Sequence, residues 1–286
     1  MTPLFDIGAN LAHDSFDADR DAVLERACAA GVVAMIVTGS TLDDTDRAIA
    51  LCRQHPRHLR ATAGVHPHHA TGLQGSDAGR LSAQLSDPMV VAAGECGLDY
   101  FRNFSPPAEQ RRAFELQLAL AEGQQKPLFL HQRDARVDFL EMLRAHPRAA
   151  SRAVLHCFTE GQAMLEDCLA LGLSVGVTGW ICDERRGQAL REAAPHIPAD
   201  RLMLETDAPY LLPRTLQPKP AHRRNEPAFL PAVLEVLAHC RGEDPAALAA
   251  ATTENASRFF GLTLRVAAGA RNAMPQLDQQ DAVTHG

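Results

Sequence analysis

Hydrophobic and polar positions along the chain follow two alternating rhythms. Short apolar runs of strand character lie at 4–8, 33–38, 61–65, 89–93, 127–130, 153–155, 174–177 and 202–205. Between them apolar residues recur at helical spacing. These stretches are 17–30, 42–55, 78–85, a run opening at Pro107 and stopped by Gly123, 136–143, 162–170 and 186–193, with 227–240 and 245–260 after the last strand. Eight strand–helix alternations, at about the 30 residues of a βαβ unit, predict an α/β fold with a parallel sheet. Eight is also the count of a (β/α)8 barrel, which takes about 250 residues. An open doubly wound sheet is the competing architecture. It would gather its site near one switch point beside a glycine-rich phosphate turn, and the chain has neither a G-x-G-x-x-G nor a P-loop. Residues 1–262 therefore read as one catalytic barrel. Residues 263–286, which lack periodicity, read as a mobile C-terminal tail.

The polar residues that interrupt the pattern concentrate where strands end. VVAAGECG carries Glu95 between Gly94 and Gly97, KPLFLHQRD ends at His131, RAVLHCF ends at His156, RLMLETDAP ends with Glu205 and Asp207, and TAGVHPH ends with His66 and His68. One histidine after a strand is usually a packed, hydrogen-bonded residue. Ligand-type residues closing several separate strands are harder to dismiss, because the C-terminal ends of barrel strands share one face where the loops build the active site. An acid at the mouth of an apolar strand is expensive to bury unless it is paired or bound to a metal. Glu, His and Asp together suit a divalent ion such as Mg²⁺, Mn²⁺ or Zn²⁺.

Composition narrows the class. The chain has 286 residues, 46% of them hydrophobic, and a formal net charge of -7. A strongly basic nucleic-acid binder is excluded on bulk charge, though a local basic rim is not. No apolar run reaches transmembrane length and no export signal is read at the N-terminus. Seven scattered cysteines without a C-x-x-C pair suit a reduced, cytoplasmic protein. Neither a G-x-S-x-G elbow nor an H-E-x-x-H helix is present, which argues against the commonest serine-hydrolase and zinc-protease readings.

Several longer segments carry a family resemblance: FDIGANL, TAGVHPH, AAGECGLDYFRNFS, AVLHCFTEG, VTGWICDERRG, ETDAPYLLPR, KPAHRRNEP and TENASRFFGL. Collinear from residue 5 to residue 262, they resemble the TatD family of metal-dependent deoxyribonucleases. The resemblance implies a TIM-type barrel of the amidohydrolase kind. It also implies a Mg²⁺-dependent 3′–5′ exonuclease acting on single-stranded DNA ends, with RNA as a further substrate. The family's metal ligands fall on Glu95, His131, His156 and Asp207. Many relatives begin with D-x-H-x-H on strand one, whereas here Gly8 and Asn10 stand at the two histidine positions.

Phosphodiester hydrolysis needs an activated water and relief of charge on the phosphate, and a divalent ion supplies both. In this chemistry Glu95, His131 and His156 hold the ion. Asp207 either completes its shell or acts as general base. His66 and His68 orient the phosphate or donate a proton. Arg133, Arg223 and Arg224 are candidate phosphate contacts, while Arg185 and Arg186 read as a solvated face. Aromatics that follow strands, with most weight on Phe101 and Trp180, are candidates to stack on unpaired bases. A monomer is expected. Two other readings stay open: a barrel metallohydrolase of a small amide, ester or lactone, and a non-catalytic scaffold that binds nucleic acid or protein.

Overall fold

The computed structural model describes residues 2–265 and 275–278. Eight parallel strands pair in sequence order. They are β1 (Leu4–Ala9), β2 (Val32–Val37), β3 (Leu59–Ala63), β4 (Val90–Asp99), β5 (Leu128–Arg133), β6 (Ala153–Leu155), β7 (Ser174–Val177) and β8 (Leu202–Leu204). Helices cover the outside, so both sheet faces are buried and the strands are apolar almost throughout. Alternation within β1 shows why. Phe5 and Ile7 pack inside the barrel with Ile36, Phe129, Val154 and Met203, whereas Leu4 joins the layer between strands and helices.

The seam between β8 and β1 closes just beyond the end of β8. The Asp207 amide donates to the Gly8 carbonyl at 2.8 Å, and the Asn10 amide to that of Ala208 at 2.7 Å. Asp6, fully buried, accepts from the Thr206 amide at 2.9 Å and the Thr206 hydroxyl at 2.5 Å. The strand-one carboxylate is thus committed to closing the barrel. Burial raises its pKa to about 7 against the pull of these hydrogen bonds.

The departures from the sequence pattern have local causes. The first helix starts at Arg20 after a short turn at Asp14–Phe16. The helix expected from residue 186 starts at Gln188, because the Asp183 carboxylate holds the Arg185 and Arg186 amides at 3.0 and 3.2 Å. β4 runs well past the expected end at residue 93, to Asp99. Its glycines do not break it. Gly94 and Gly97 sit at φ +142° and +140°, where a Cβ would meet the Phe129 and His131 carbonyl oxygens at 2.1 and 1.9 Å. Only glycine lets β4 lie that close to β5.

In the segment expected to be a tail, Leu264–Arg265 (β9) pairs antiparallel with Gln276–Leu277 (β10). Leu277 is buried against Phe5, Val33 and Leu262 under the barrel, and its amide donates to the Arg57 carbonyl at 2.9 Å. Residues 266–274 and 279–286 lie outside the described residues. Among the described residues no helix is long and apolar enough to cross a membrane.

Candidate metal centre and active-site pocket

The C-terminal ends of the strands enclose a cavity of about 560 Å³, lined by His66, His68, Glu95, Asp99, His131, His156 and Asp207. A larger cavity at the opposite end of the barrel, about 1090 Å³, is lined by none of these residues. The chemistry lies in the smaller one.

Its centre is one oxygen atom. Glu95 Oε1 lies 2.8 Å from His156 Nε2, 3.1 Å from His131 Nδ1 and 3.3 Å from His66 Nε2. Three imidazole nitrogens, from the residue just after β6, from β5 and from the loop after β3, thus meet one carboxylate from β4. His66, Glu95 and His131 offer ligand atoms that all fall within 4.8 Å of one another. Their other contacts separate the roles. His131 meets Asp99 through Nε2 at 3.2 Å, and His156 meets Glu205 through Nδ1 at 3.3 Å. A carboxylate that takes a proton on one ring nitrogen frees the other as a metal ligand and fixes the ring's orientation. His66 is different. Its Nδ1 accepts the His68 amide at 3.1 Å, so in the neutral ring Nε2 carries the proton and donates towards Glu95. Proximity alone would count His66 as a ligand. The tautomer makes it a donor, which leaves Glu95, His131 and His156, with Asp207 lining the same pocket, as the residues that could hold an ion.

Asp99 and Glu205 complete this arrangement. Both are buried. Asp99 Oδ2 bridges His131 and His68, the latter at 2.9 Å, while Oδ1 takes the Arg102 amide at 2.7 Å. Hydrogen bonds from the two histidines hold the Asp99 carboxyl well below its ordinary range, against the effect of burial. Glu205 also takes the Cys157 amide. It lies in a slot between two glycines: a Cβ on Gly8 would meet its Oε2 at 2.6 Å, and one on Gly176 its Oε1 at 2.5 Å. The space open to a strand-one side chain at Gly8 is therefore filled by the carboxylate that orients His156.

Asp207 lines the same pocket, outside the cage. Its Oδ1 accepts from Asn10 Nδ2 at 3.1 Å. Burial, with the nearby charges of Glu95 and Glu205, raises it to about 7. His66 is lowered to about 4 by burial, which outweighs the attraction of Glu95. For His156 and His131 the balance is reversed: burial opposes their charge, but the surrounding carboxylates raise both. Cation binding is therefore expected to expel protons near neutral pH, because the ligating imidazoles must be neutral. Affinity should rise by about tenfold per pH unit for each proton released. Calorimetry in two buffers of different ionisation enthalpy tests this. Equal apparent enthalpies would show that no proton leaves.

Around the mouth, Arg102, Arg133, Arg186 and Trp180 line the pocket. Arg133 is carried on β5 and lies over the Phe101 ring at 4.0 Å. Arg186 lies over Trp180 at 4.5 Å, with Nε on Asp183 at 2.8 Å. Phe101 is exposed and supports Arg133 from outside the pocket lining. Arg186 is exposed, as a solvated face would have it, and it also lines the pocket mouth. Two other candidate phosphate contacts lie away from the pocket lining. Arg224 is clamped by Asp19 at 2.7 Å and Glu226 at 2.8 Å and anchors the loop after β8 to the first helix. Arg223 is exposed on the same loop and does not line the pocket.

An eight-stranded barrel with a histidine–carboxylate cage at the C-terminal ends of its strands defines a metallo-dependent hydrolase. The chain belongs to the TatD related DNase family, whose pattern it matches over residues 5–261. It is 52% identical to a protein of Erwinia amylovora described as 3'-5' ssDNA/RNA exonuclease TatD, over 91% of this chain and all of that one. It is 51% identical to the protein of the same description from Salmonella typhimurium, over 90% of this chain and 98% of that one. Among solved structures, a TatD homologue of Escherichia coli, YJJV, superposes with a TM-score of 0.83 at 29% identity. That match covers 91% of this chain and 98% of the other.

Proposed function

We propose that this protein is a divalent-metal-dependent 3′–5′ exonuclease that hydrolyses phosphodiester bonds at single-stranded DNA ends, with RNA as a second substrate class. The observation that carries this reading is the convergence of His131, His156 and His66 on one Glu95 oxygen, inside a pocket walled by three arginines. The half-identical relatives described as exonucleases support it. Arginines at the mouth favour a polyanion over a neutral amide or lactone. A scaffold without catalysis would leave the buried carboxylates Glu95, Asp99 and Glu205 without a use.

The donor chemistry fits a divalent cation held by Glu95, His131 and His156. Mg²⁺ is the first expectation, and Mn²⁺ or Zn²⁺ are compatible with so many imidazoles. When bound, such an ion supplies a nucleophilic water at neutral pH and offsets charge on the phosphate. The chain's own residues do the rest. Asp99 fixes His131 and His68, and Glu205 fixes His156. Asn10 holds one oxygen of Asp207, which leaves Oδ2 to take the proton from the attacking water. His66 and His68, whose Nε2 atoms face Glu95 and Asp99, line the pocket and orient the phosphate, and Arg102, Arg133 and Arg186 receive the flanking phosphates.

The reading is tested with 3′- and 5′-end-labelled single-stranded and duplex oligonucleotides. The purified protein is assayed with Mg²⁺, Mn²⁺ or Zn²⁺, and with chelator. Stepwise loss from the 3′ end of single strands, abolished by chelator, is expected. Endonucleolytic products or metal-independent cleavage would overturn it. Salt gives a second check. Three phosphate contacts release counterions with a slope near –0.7 per contact, so binding should weaken about twentyfold between 50 and 200 mM salt. Salt-independent binding would remove the arginines from the substrate path.

A further inference from the structure

We propose that a groove beside the metal pocket is a subsite for the unpaired nucleobase at the substrate's end, with Phe104 as its stacking platform. The proposal rests on the exonuclease reading and adds what recognises the base. The groove encloses about 650 Å³ between Leu42, Val65, His68, Leu73 and Phe104. It opens beside the cage through His68. Ring centroids run from Phe104 to His68 at 4.7 Å, from His68 to His66 at 4.2 Å, and from His66 to His131 at 4.5 Å.

Phe104 is 67% exposed, unusual for a large apolar ring beside a catalytic pocket. Its loop is nonetheless tightly tied. Ser105 Oγ donates to the His68 carbonyl at 3.0 Å and accepts the Thr71 amide at 3.2 Å. Buried Gln110 reaches the Ser105 carbonyl at 2.8 Å and the Asp99 amide and carbonyl at 2.8 and 3.0 Å. The ring is therefore held out to solvent by the same Asp99 strand end that positions His131 and His68. A surface presented rigidly loses little on binding.

Charge separates the two cavities. The metal pocket carries the arginines. In the groove Arg80 is already paired with Asp43 at 2.5 Å and with Asp46 at 2.6 Å, and Val65 and Leu73 are buried apolar residues of its wall. That interior suits a flat, weakly polar base and not a phosphate. Phe101 and Trp180 are less suited as platforms, because a guanidinium already lies over each ring. A base seated on Phe104 must have left its partner strand, so the groove selects unpaired ends.

The test is a cycle. Phe104→Leu keeps an apolar side chain and removes the stacking face, while an oligonucleotide with a 3′-terminal abasic residue removes the base. Base–aromatic stacking predicts a rise in KM of about tenfold for Phe104→Leu on the normal substrate, with kcat within about twofold. Phe104→Tyr should restore KM. On the abasic oligonucleotide the losses should not add, because one contact is being removed twice. Additive losses, or a fall confined to kcat, would overturn the proposal. A readout without turnover separates this from the exonuclease reading. In chelator, the fluorescence of a 3′-terminal 2-aminopurine should fall on binding wild type and Phe104→Tyr, and not Phe104→Leu. Equal quenching by all three would remove the groove as a base site even if hydrolysis proceeds. Quenching without any metal-dependent hydrolysis would instead keep the groove and reject the exonuclease.

Discussion

Glu95→Gln is expected to lower metal-dependent phosphodiester hydrolysis by at least about a thousandfold. Oε1 of Glu95 is the atom on which His131, His156 and His66 converge. An amide of the same shape leaves two imidazoles as neutral ligands. A cation that neutralises a phosphate contributes several kcal/mol to the transition state, and each 1.36 kcal/mol is tenfold in rate. Fold should survive. Glu95 is held well below its ordinary pKa: burial opposes its charge, but His156 and His66 favour it more strongly. Its stabilising contribution is therefore present above pH 4.5 and lost as pH falls through the lowered folded value. In the amide variant His156 loses the carboxylate that most raises it but keeps Glu205 at 3.3 Å as its partner, so neither buried charge is left unpaired. The metal-free melting temperature should stay within about 5 °C of wild type at pH 7.5. Initial rates on a labelled single strand, with circular dichroism melting, check both halves. Turnover near the wild-type rate would remove Glu95 from the metal centre.

The barrel and the cage were legible to different degrees, for physical reasons. Strand positions follow from apolar runs buried on both faces, and helices 162–170 and 245–260 fall where their spacing puts them. Glu95, His131, His156 and His66 announce themselves because ionisable residues rarely close apolar strands. Asp99 did not. It stands at the head of the polar stretch DYFRN, and it is strand because Gly94 and Gly97 let β4 lie against β5 as far as Arg133. Glu205 was visible as a strand-ending acid, but its role was not. The slot that holds it is made by Gly8 and Gly176, on strands far apart in sequence. Arg224 misled for a related reason. Beside Arg223 it reads as a basic run, while its partner Asp19 lies on the other side of the chain closure. Residue type locates first contacts to a ligand. The groups that orient those contacts are fixed by packing between distant strands, which local pattern does not encode.

Asp207→Asn is expected to lower kcat by about 10² to 10⁴, the range of a general base. The cation affinity should change by less than about tenfold, because Glu95, His131 and His156 form the cage without it. Asp207 follows β8 at φ 55°, with its amide fixed to the Gly8 carbonyl and Oδ1 held by Asn10. One oxygen is thus oriented and the other is available. In the metal-free protein burial and neighbouring carboxylates raise its pKa to about 7, which favours a proton acceptor near neutrality; a bound cation lowers that value. In wild type kcat/KM should fall on the acid side as Asp207 gains its proton, and in Asp207→Asn that limb should disappear along with most of the rate. Asn10→Ala should give a milder loss with the limb retained, since it frees the carboxylate without removing it. The competing role makes a different pattern. If Asp207 is a ligand, metal affinity falls in step with the rate, and excess metal returns the variant towards wild-type turnover. Metal titrations of activity alongside calorimetric affinity separate the two, and rescue by excess metal would assign Asp207 to the ion and leave the proton to another group.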